Sequence, residues 1–233
     1  MKGYLVRVFR DTEEVNRQAI LDALPRLGGG SMLDLGAGDG EFTRRVAERA
    51  GAGRVAAVEF IAGPAAAARA RGIEVHEADL EEPLPFADAE FDLVHSNQVI
   101  AHVRRTDRFV AEVRRVLRPG GVACISTNNL ASWHNVLALA LGFQPMPMHV
   151  SDEVIVGNPL NPEHGAAHEH AGRVHLRLFT GRALSELCAH HGLEPEPMRT
   201  AGYYPLPPRL ARIATRIDPR HGAFLVGLFR RDG

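Results

Sequence analysis

Lysine is almost absent from this chain of 233 residues: Lys2 is the only one, and the other 26 of its 27 basic residues are arginine. That absence excludes two chemistries. A Walker-type phosphate loop needs a lysine beside its glycines, and a Schiff-base enzyme needs an internal lysine nucleophile. Cysteine is scarce too: Cys124 falls in an apolar strand pattern and Cys188 in a helical one, so both are expected as buried, reduced thiols rather than a disulfide. No stretch approaches the roughly 18 consecutive apolar residues of a membrane span, and Met1 to Gly30 lacks the apolar block of a signal peptide. The expected location is therefore cytoplasmic. An excess of charge of either sign is also missing. With a net charge of −1, no global field draws the chain to nucleic acid or to anionic lipid, and neither is expected as a partner. What remains is 45% hydrophobic, enough for one large core.

The most informative stretch is Leu33-Asp34-Leu35-Gly36-Ala37-Gly38-Asp39-Gly40-Glu41-Phe42-Thr43, where an apolar strand runs into three alternating glycines and then into a helical pattern. Glycine lets the turn adopt positive φ and present backbone N–H groups to a ligand, and the helix N-terminus that follows favours an anionic group. A dinucleotide fingerprint wants G-x-G-x-x-G, which from Gly36 and Gly38 would require glycine where Glu41 stands. The loop instead reads Asp-x-Gly-x-Gly-x-Gly. This resembles motif I of the class I S-adenosylmethionine (SAM)-dependent methyltransferases, in particular the methyltransferase type 11 and ubiquinone/menaquinone methyltransferase-like group.

Other segments are consistent with that resemblance. Arg54 to Phe60 reads as a strand with Glu59 near its end, about 20 residues past the glycines, where Rossmann-like folds place an acid on the ribose hydroxyls. Glu74 to Asp79 reads as a third strand, Phe91 to Asn97 as a fourth, and Val122 to Thr127, after the turn Leu117 to Gly121, as a fifth. Helices are expected over Asp11 to Leu24, capped by Asp11 or Thr12, over Glu41 to Ala50, around Pro64 to Arg71, over Asp107 to Leu117 and over Gly181 to His191. A strand near Glu196 to Tyr204 and a final one over Ala223 to Arg230 complete the pattern. The resemblance implies a Rossmann-like α/β fold: a seven-stranded, mostly parallel sheet with helices on both faces and an antiparallel C-terminal strand. It implies one domain over residues 1–233, with 1–30 as an N-terminal cap segment and 128–180 as a substrate-covering insertion. It also implies SAM as cofactor, held by Asp34, Gly36, Ala37, Gly38, Gly40, Glu59, Phe60, Asp79, Leu80, Asn97 and Gln98, with Asp79 facing the adenine amino group.

The segment from Asn128 to Thr180 follows the carboxyl end of strand five, where open α/β sheets bind ligands. It carries Trp133, His134, Phe143, Met146, Met148, His149, His164, His168 and His170, a composition suited to an apolar cover that excludes water, with Pro159 to Gly172 closing on bound ligands. Trp133, His134 and His175 are the candidate substrate contacts. The histidine spacing matches no zinc pattern and both cysteines lie elsewhere, so no metal site is expected. His102, at the start of the helical segment after strand four, is the candidate general base, with positioning of the cofactor as its alternative role.

The family's enzymes for exocyclic amines of adenine or glutamine carry an Asp/Asn-Pro-Pro-aromatic run after strand four, where this chain has Asn97-Gln98-Val99-Ile100. The expected reaction is therefore methyl transfer from SAM to an O, N or C atom of a small-molecule acceptor. Two other readings stand beside it. One is an NAD(P)-dependent oxidoreductase, which shares the strand, loop and Glu59; the other is a SAM-binding protein without activity.

Overall fold

A computed structural model describes residues 2–167 and 174–233. The chain starts with α1 (Lys2–Ala23) and enters the alternating part through β1 (Ser31–Leu35), α2 (Glu41–Ala50), β2 (Arg54–Val58), α3 (Ala62–Ala70), β3 (Glu74–His76) and β4 (Phe91–Asn97). A single 3-10 turn, Ile100–His102, leads to α4 (Thr106–Val116) and the long β5 (Leu117–Asn128). Then follow α5 (Trp133–Ala140), α6 (Gly181–His190), β6 (Leu193–Pro195), β7 (Arg199–Ala201), α7 (Pro208–Ile217) and β8 (Phe224–Arg231).

The strands form one sheet in the order β3-β2-β1-β4-β5-β8-β6, with β7 also paired to β8. β1 to β5 are mutually parallel, and β8 runs antiparallel to β5. β6 pairs Leu193 with Arg231 and Pro195 with Phe229, whereas β7 pairs Arg199 with Val226. Four steps on one strand thus face three on the other. One extra residue interrupts what is a single edge position, so eight strands occupy the seven expected places.

β1 is buried along its whole length, as a central parallel strand must be. On one face Leu33, Leu35, Val94 and Ile125 pack against α4 and α6; on the other Met32, Leu93, Val122 and Cys124 pack against α1 and α2. α4 shows how the sequence specifies this. Phe109, Val110, Val113 and Val116 recur at helical spacing and are all buried, each contributing about 1.5–3 kcal/mol of apolar burial. Both cysteines are free, and burial pushes each thiol up to about 12.

Several element boundaries differ from those expected. α1 begins at Lys2 rather than Asp11, and the Thr12 hydroxyl, expected as a cap, donates to the Val8 carbonyl inside the helix. Thr12 thus satisfies its hydroxyl by back-bonding one turn earlier. β2 ends at Val58 because Glu59 turns its carboxylate toward neighbouring backbone N–H groups. β3 ends at His76, and Asp79 closes a turn by accepting from the Glu81 N–H at 2.9 Å. α4 stops at Val116, since Leu117 already takes extended backbone on entering β5. Among the described residues, no helix is long and apolar enough to cross a membrane.

Candidate active site

β1 delivers the chain into the loop Gly36–Gly40, whose three glycines all have positive φ, +77° at Gly36, +57° at Gly38 and +80° at Gly40. They are not equivalent. A Cβ on Gly36 would strike the Val99 side chain, and one on Gly40 would lie 2.6 Å from Ile73 Cδ1 and 2.9 Å from Ala68 Cβ. Those two glycines permit close packing. At Gly38 a Cβ would meet nothing within 4 Å. Gly38 instead lines a cavity of about 190 Å³ together with Gly36, Ala37, Asp34, His95 and Asn97, and Arg17 reaches it from α1.

Glu59, just past β2, is buried. Its Oε2 accepts from the Gly38 N–H at 2.8 Å and its Oε1 from the Ile61 N–H at 2.9 Å. Each carboxylate oxygen keeps a second lone pair, so the same group can still accept from two vicinal hydroxyls. Phe60 beside it is exposed, and Leu80 packs partly against the main core cluster.

Asp34 is buried beneath the loop with both oxygens engaged: Oδ2 accepts from Thr43 Oγ1 at 2.5 Å, and Oδ1 lies 2.7 Å from His95 Nδ1. Thr43 stands in the first turn of α2, and His95 is the register partner of Asp34 on β4. The carboxylate therefore ties the strand before the loop to the helix after it. Asn97 Oδ1 accepts from Asn16 of α1 at 3.1 Å. Gln98 has φ +59°, a left-handed conformation rare outside glycine, and its backbone N–H donates to the Ser126 carbonyl at 2.8 Å. The Nε2 atoms of His95 and Gln98 are buried with no hydrogen-bond partner among the described residues.

A second, larger cavity of about 340 Å³ opens where β5 ends at Asn128. Its lining includes Asn128, His134, Met146, His149, His175 and Tyr204, with Arg10, Glu13 and Glu163 adding charge. The Asn128 amide nitrogen lies 3.0 Å from Gln98 Oε1 and 3.2 Å from His175 Nε2, linking the sheet to its cover. His175 stacks on His102 with ring centroids 4.6 Å apart, and His102 Nδ1 lies 3.1 Å from the Val174 carbonyl. Burial, aided by neighbouring His102 and His149, pushes His175 down to about 3, and burial alone pushes His134 down to about 4. Both are neutral imidazoles near pH 7. Glu13 is shifted upward by burial, with Glu163 adding repulsion and Arg17 and Arg10 opposing it.

Of the three expected acceptor contacts, His134 and His175 line this cavity and Trp133 does not. The Trp133 indole N–H donates to Asp218 at 2.7 Å and the ring packs on His221, because α5 is anchored at its start to the end of α7. His168 and His170, and the last part of the stretch Pro159 to Gly172, lie outside the described residues. Sequence reasoning passed over His95, although a histidine inside an apolar strand is itself a signal. It also missed Arg17, Glu13 and Tyr204, which only the fold brings to the cavities.

A doubly wound parallel sheet whose glycine loop opens on a cavity beside a strand-end acid defines a Rossmann-like, nucleotide-type binding protein. Residues 33–125 match the family model described as a methyltransferase domain. The Mycolicibacterium smegmatis protein named "Probable S-adenosylmethionine-dependent methyltransferase/" is 34% identical over 181 residues, covering 72% of this chain and 62% of that protein. A Mycobacterium tuberculosis protein with the same type of name is 32% identical over 204 residues, covering 80% of this chain and 66% of its own length. The chain thus spans 62–66% of these curated relatives. Among solved structures, the Burkholderia thailandensis 1,6-didemethyltoxoflavin-N1-methyltransferase superimposes with a TM-score of 0.57 at 20% identity, over 94% of this chain and 77% of that one. Over residues 33–125 the chain carries a class I SAM-dependent methyltransferase domain, a family whose cofactor is SAM.

Proposed function

We propose that this chain transfers a methyl group from SAM to an O, N or C atom of a small molecule. The observation that carries the reading is the pairing of two cavities at the carboxyl ends of one sheet's parallel strands, one on the glycine loop after β1 and one beyond Asn128 at the end of β5. The smaller cavity fits the cofactor by its own chemistry. Gly38 leaves a backbone cradle that a Cβ would fill, Glu59 keeps acceptor capacity for the ribose, and His95 offers an unpaired buried nitrogen. Gly36, Ala37, Gly38, Gly40, Asn97 and Gln98 would hold the cofactor with Glu59, while Asp34 braces the loop from beneath and Asp79 and Leu80 border the adenine end. When bound, SAM supplies a methyl group on a positively charged sulfur, which is already electrophilic.

The chain's own contribution is then proximity, orientation and exclusion of water, worth about 7–11 kcal/mol in well-oriented systems. A cavity of 340 Å³ falls in the range of small-molecule sites. His134 and His175, held neutral, line it as a water-poor wall with hydrogen-bonding capacity and are poor proton acceptors. His102, stacked on His175, positions that wall. Residues 1–30 and 128–180 act within one catalytic unit, as cap and cover over the strand ends. The Burkholderia protein, with the same fold, is described with bound 1,6-didemethyltoxoflavin and S-adenosylhomocysteine, a small acceptor beside the spent cofactor.

Incubation of the chain with methyl-labelled SAM and a fractionated metabolite pool tests this. Label is expected in a low-mass product together with S-adenosylhomocysteine. Label confined to protein or nucleic acid would refute the small-molecule acceptor. Binding of S-adenosylhomocysteine without turnover on any fraction would favour a binding protein, and calorimetric binding of NAD in place of SAM would favour an oxidoreductase.

A further inference from the structure

His95 brings an unpaired buried nitrogen to the cofactor cavity, and its surroundings are unusual for a strand interior. It sits on β4 between Val94 and Ser96, is 1% exposed, and lines the cavity at Gly36 and Gly38. Asp34 takes its Nδ1 at 2.7 Å and is itself saturated on the other oxygen by Thr43. Because a carboxylate only accepts, the hydrogen between them is carried by Nδ1, and a ring holding that hydrogen alone presents a lone pair at Nε2. That Nε2 is buried and without a partner among the described residues. The ring is held edge-on to Phe42 at 5.6 Å, so its orientation is fixed from two sides. An apolar residue would fill this strand position without leaving a buried nitrogen unpaired. Besides Asp34, the charged groups that line the same cavity are Arg17 from α1, Asp39 from the loop and Glu41 from α2.

We propose that His95 is a positioning residue for the amino-acid end of the cofactor, its Nε2 accepting a hydrogen bond from the α-ammonium group. Asp34 and Thr43 set the tautomer and the ring angle, so the loop that cradles the ligand and the acceptor that orients it are braced by one carboxylate. This inference rests on the SAM reading of the site and adds a residue that the glycine loop and Glu59 do not account for. The acceptor is neutral and directional, which selects an ammonium over a carboxylate at that point.

The test compares two ligands by calorimetry: S-adenosylhomocysteine, and 5′-methylthioadenosine, which keeps the nucleoside and thioether but lacks the amino-acid end. The variants are His95→Asn, whose amide N–H can still serve Asp34 while the Nε2 acceptor is gone, and His95→Gln, whose longer amide can return an oxygen to that place. In His95→Asn, affinity for S-adenosylhomocysteine is expected to fall by about tenfold, the effect of a hydrogen bond to a charged group, with methylthioadenosine unaffected. His95→Gln is expected to recover most of the loss. Unchanged affinity for both ligands in His95→Asn overturns the proposal, as does an equal loss for both, which would mark a purely structural role. A His95→Asn chain that does not fold passes the decision to His95→Gln, where preference for S-adenosylhomocysteine must survive. A wild-type chain that binds both ligands equally overturns the inference alone, whereas one that binds neither overturns the cofactor reading with it.

Discussion

Removing the Glu59 carboxylate is the sharpest single perturbation of the cofactor cavity. Its two oxygens already accept from the Gly38 and Ile61 N–H groups at 2.8 and 2.9 Å, so the group both holds the loop and keeps lone pairs for the ribose. In Glu59→Ala the two N–H groups lose a charged acceptor at the cavity edge, where water replaces it, and a stability loss of about 1 kcal/mol is expected. The ligand loses more. Hydrogen bonding of the ribose hydroxyls to a charged acceptor contributes about 1.5–3 kcal/mol net of the water it displaces. A net loss of about 1.5–3 kcal/mol, roughly 10- to 150-fold in Kd for S-adenosylhomocysteine, follows. Glu59→Gln is expected to fall between wild type and Glu59→Ala, since its oxygen can serve one partner while its NH₂ opposes a donor. Calorimetric titration at fixed salt, after a thermal melt has established folding, measures the effect. A ligand lacking both ribose hydroxyls should bind wild type and Glu59→Ala alike. A folded Glu59→Ala chain with wild-type affinity for S-adenosylhomocysteine would refute the assignment of Glu59 to the ribose.

Three further outcomes are expected. Because His134 and His175 are depressed from 6.5 to about 4 and about 3 in the folded chain, the unfolded state binds their protons first. Stability is therefore full above about pH 6.5 and is lost as pH falls toward 4, with an upper slope of about 1.4 kcal/mol per pH unit per histidine before solvent screening; a urea midpoint unchanged between pH 7.5 and 5 would contradict this. His102→Ala should lower kcat/KM for the acceptor by about tenfold or more through its stack with His175, leaving affinity for S-adenosylhomocysteine intact and the pH-rate profile unshifted. Loss of an ascending pH limb together with a drop of about 10² in kcat would instead make His102 the base. Gly36→Ala, which drives a Cβ into Val99, should lower Tm more than Gly38→Ala, whereas Gly38→Ala should weaken cofactor binding at a smaller thermal cost. The opposite order in Tm would contradict the packing argument.

Local pattern carried the parts of this fold that are written locally. The alternating glycines at 36, 38 and 40, the apolar stripe of Phe109, Val110, Val113 and Val116, and the acids at the strand ends all lie within a few residues of the structure they specify. What escaped was long-range or conformational. Asp11-Thr12-Glu13-Glu14 has the composition of a helix start, and only the packing of Val8 and the back-bond from Thr12 show that the helix is already under way. The Asp34–His95 contact joins residues 61 apart, and the Trp133–Asp218 bond joins residues 85 apart, so the first gained a partner and the second left the cavity by contacts that no window of sequence contains. The left-handed backbone at Gln98 is equally hidden, because glutamine advertises no such preference.

The interrupted edge position also bears on how the molecule behaves at high concentration. A sheet edge recruits another chain when it offers a long, regular row of free donors and acceptors. Here one edge is a strand of three residues, Glu74–His76, and the other is two three-residue pieces offset by one residue around Glu196-Pro197-Met198. Pro195 and Pro197 contribute no N–H to that side. Among the described residues neither edge presents a continuous template, so each disfavours addition of a strand from another copy by its shortness and shape rather than by charge.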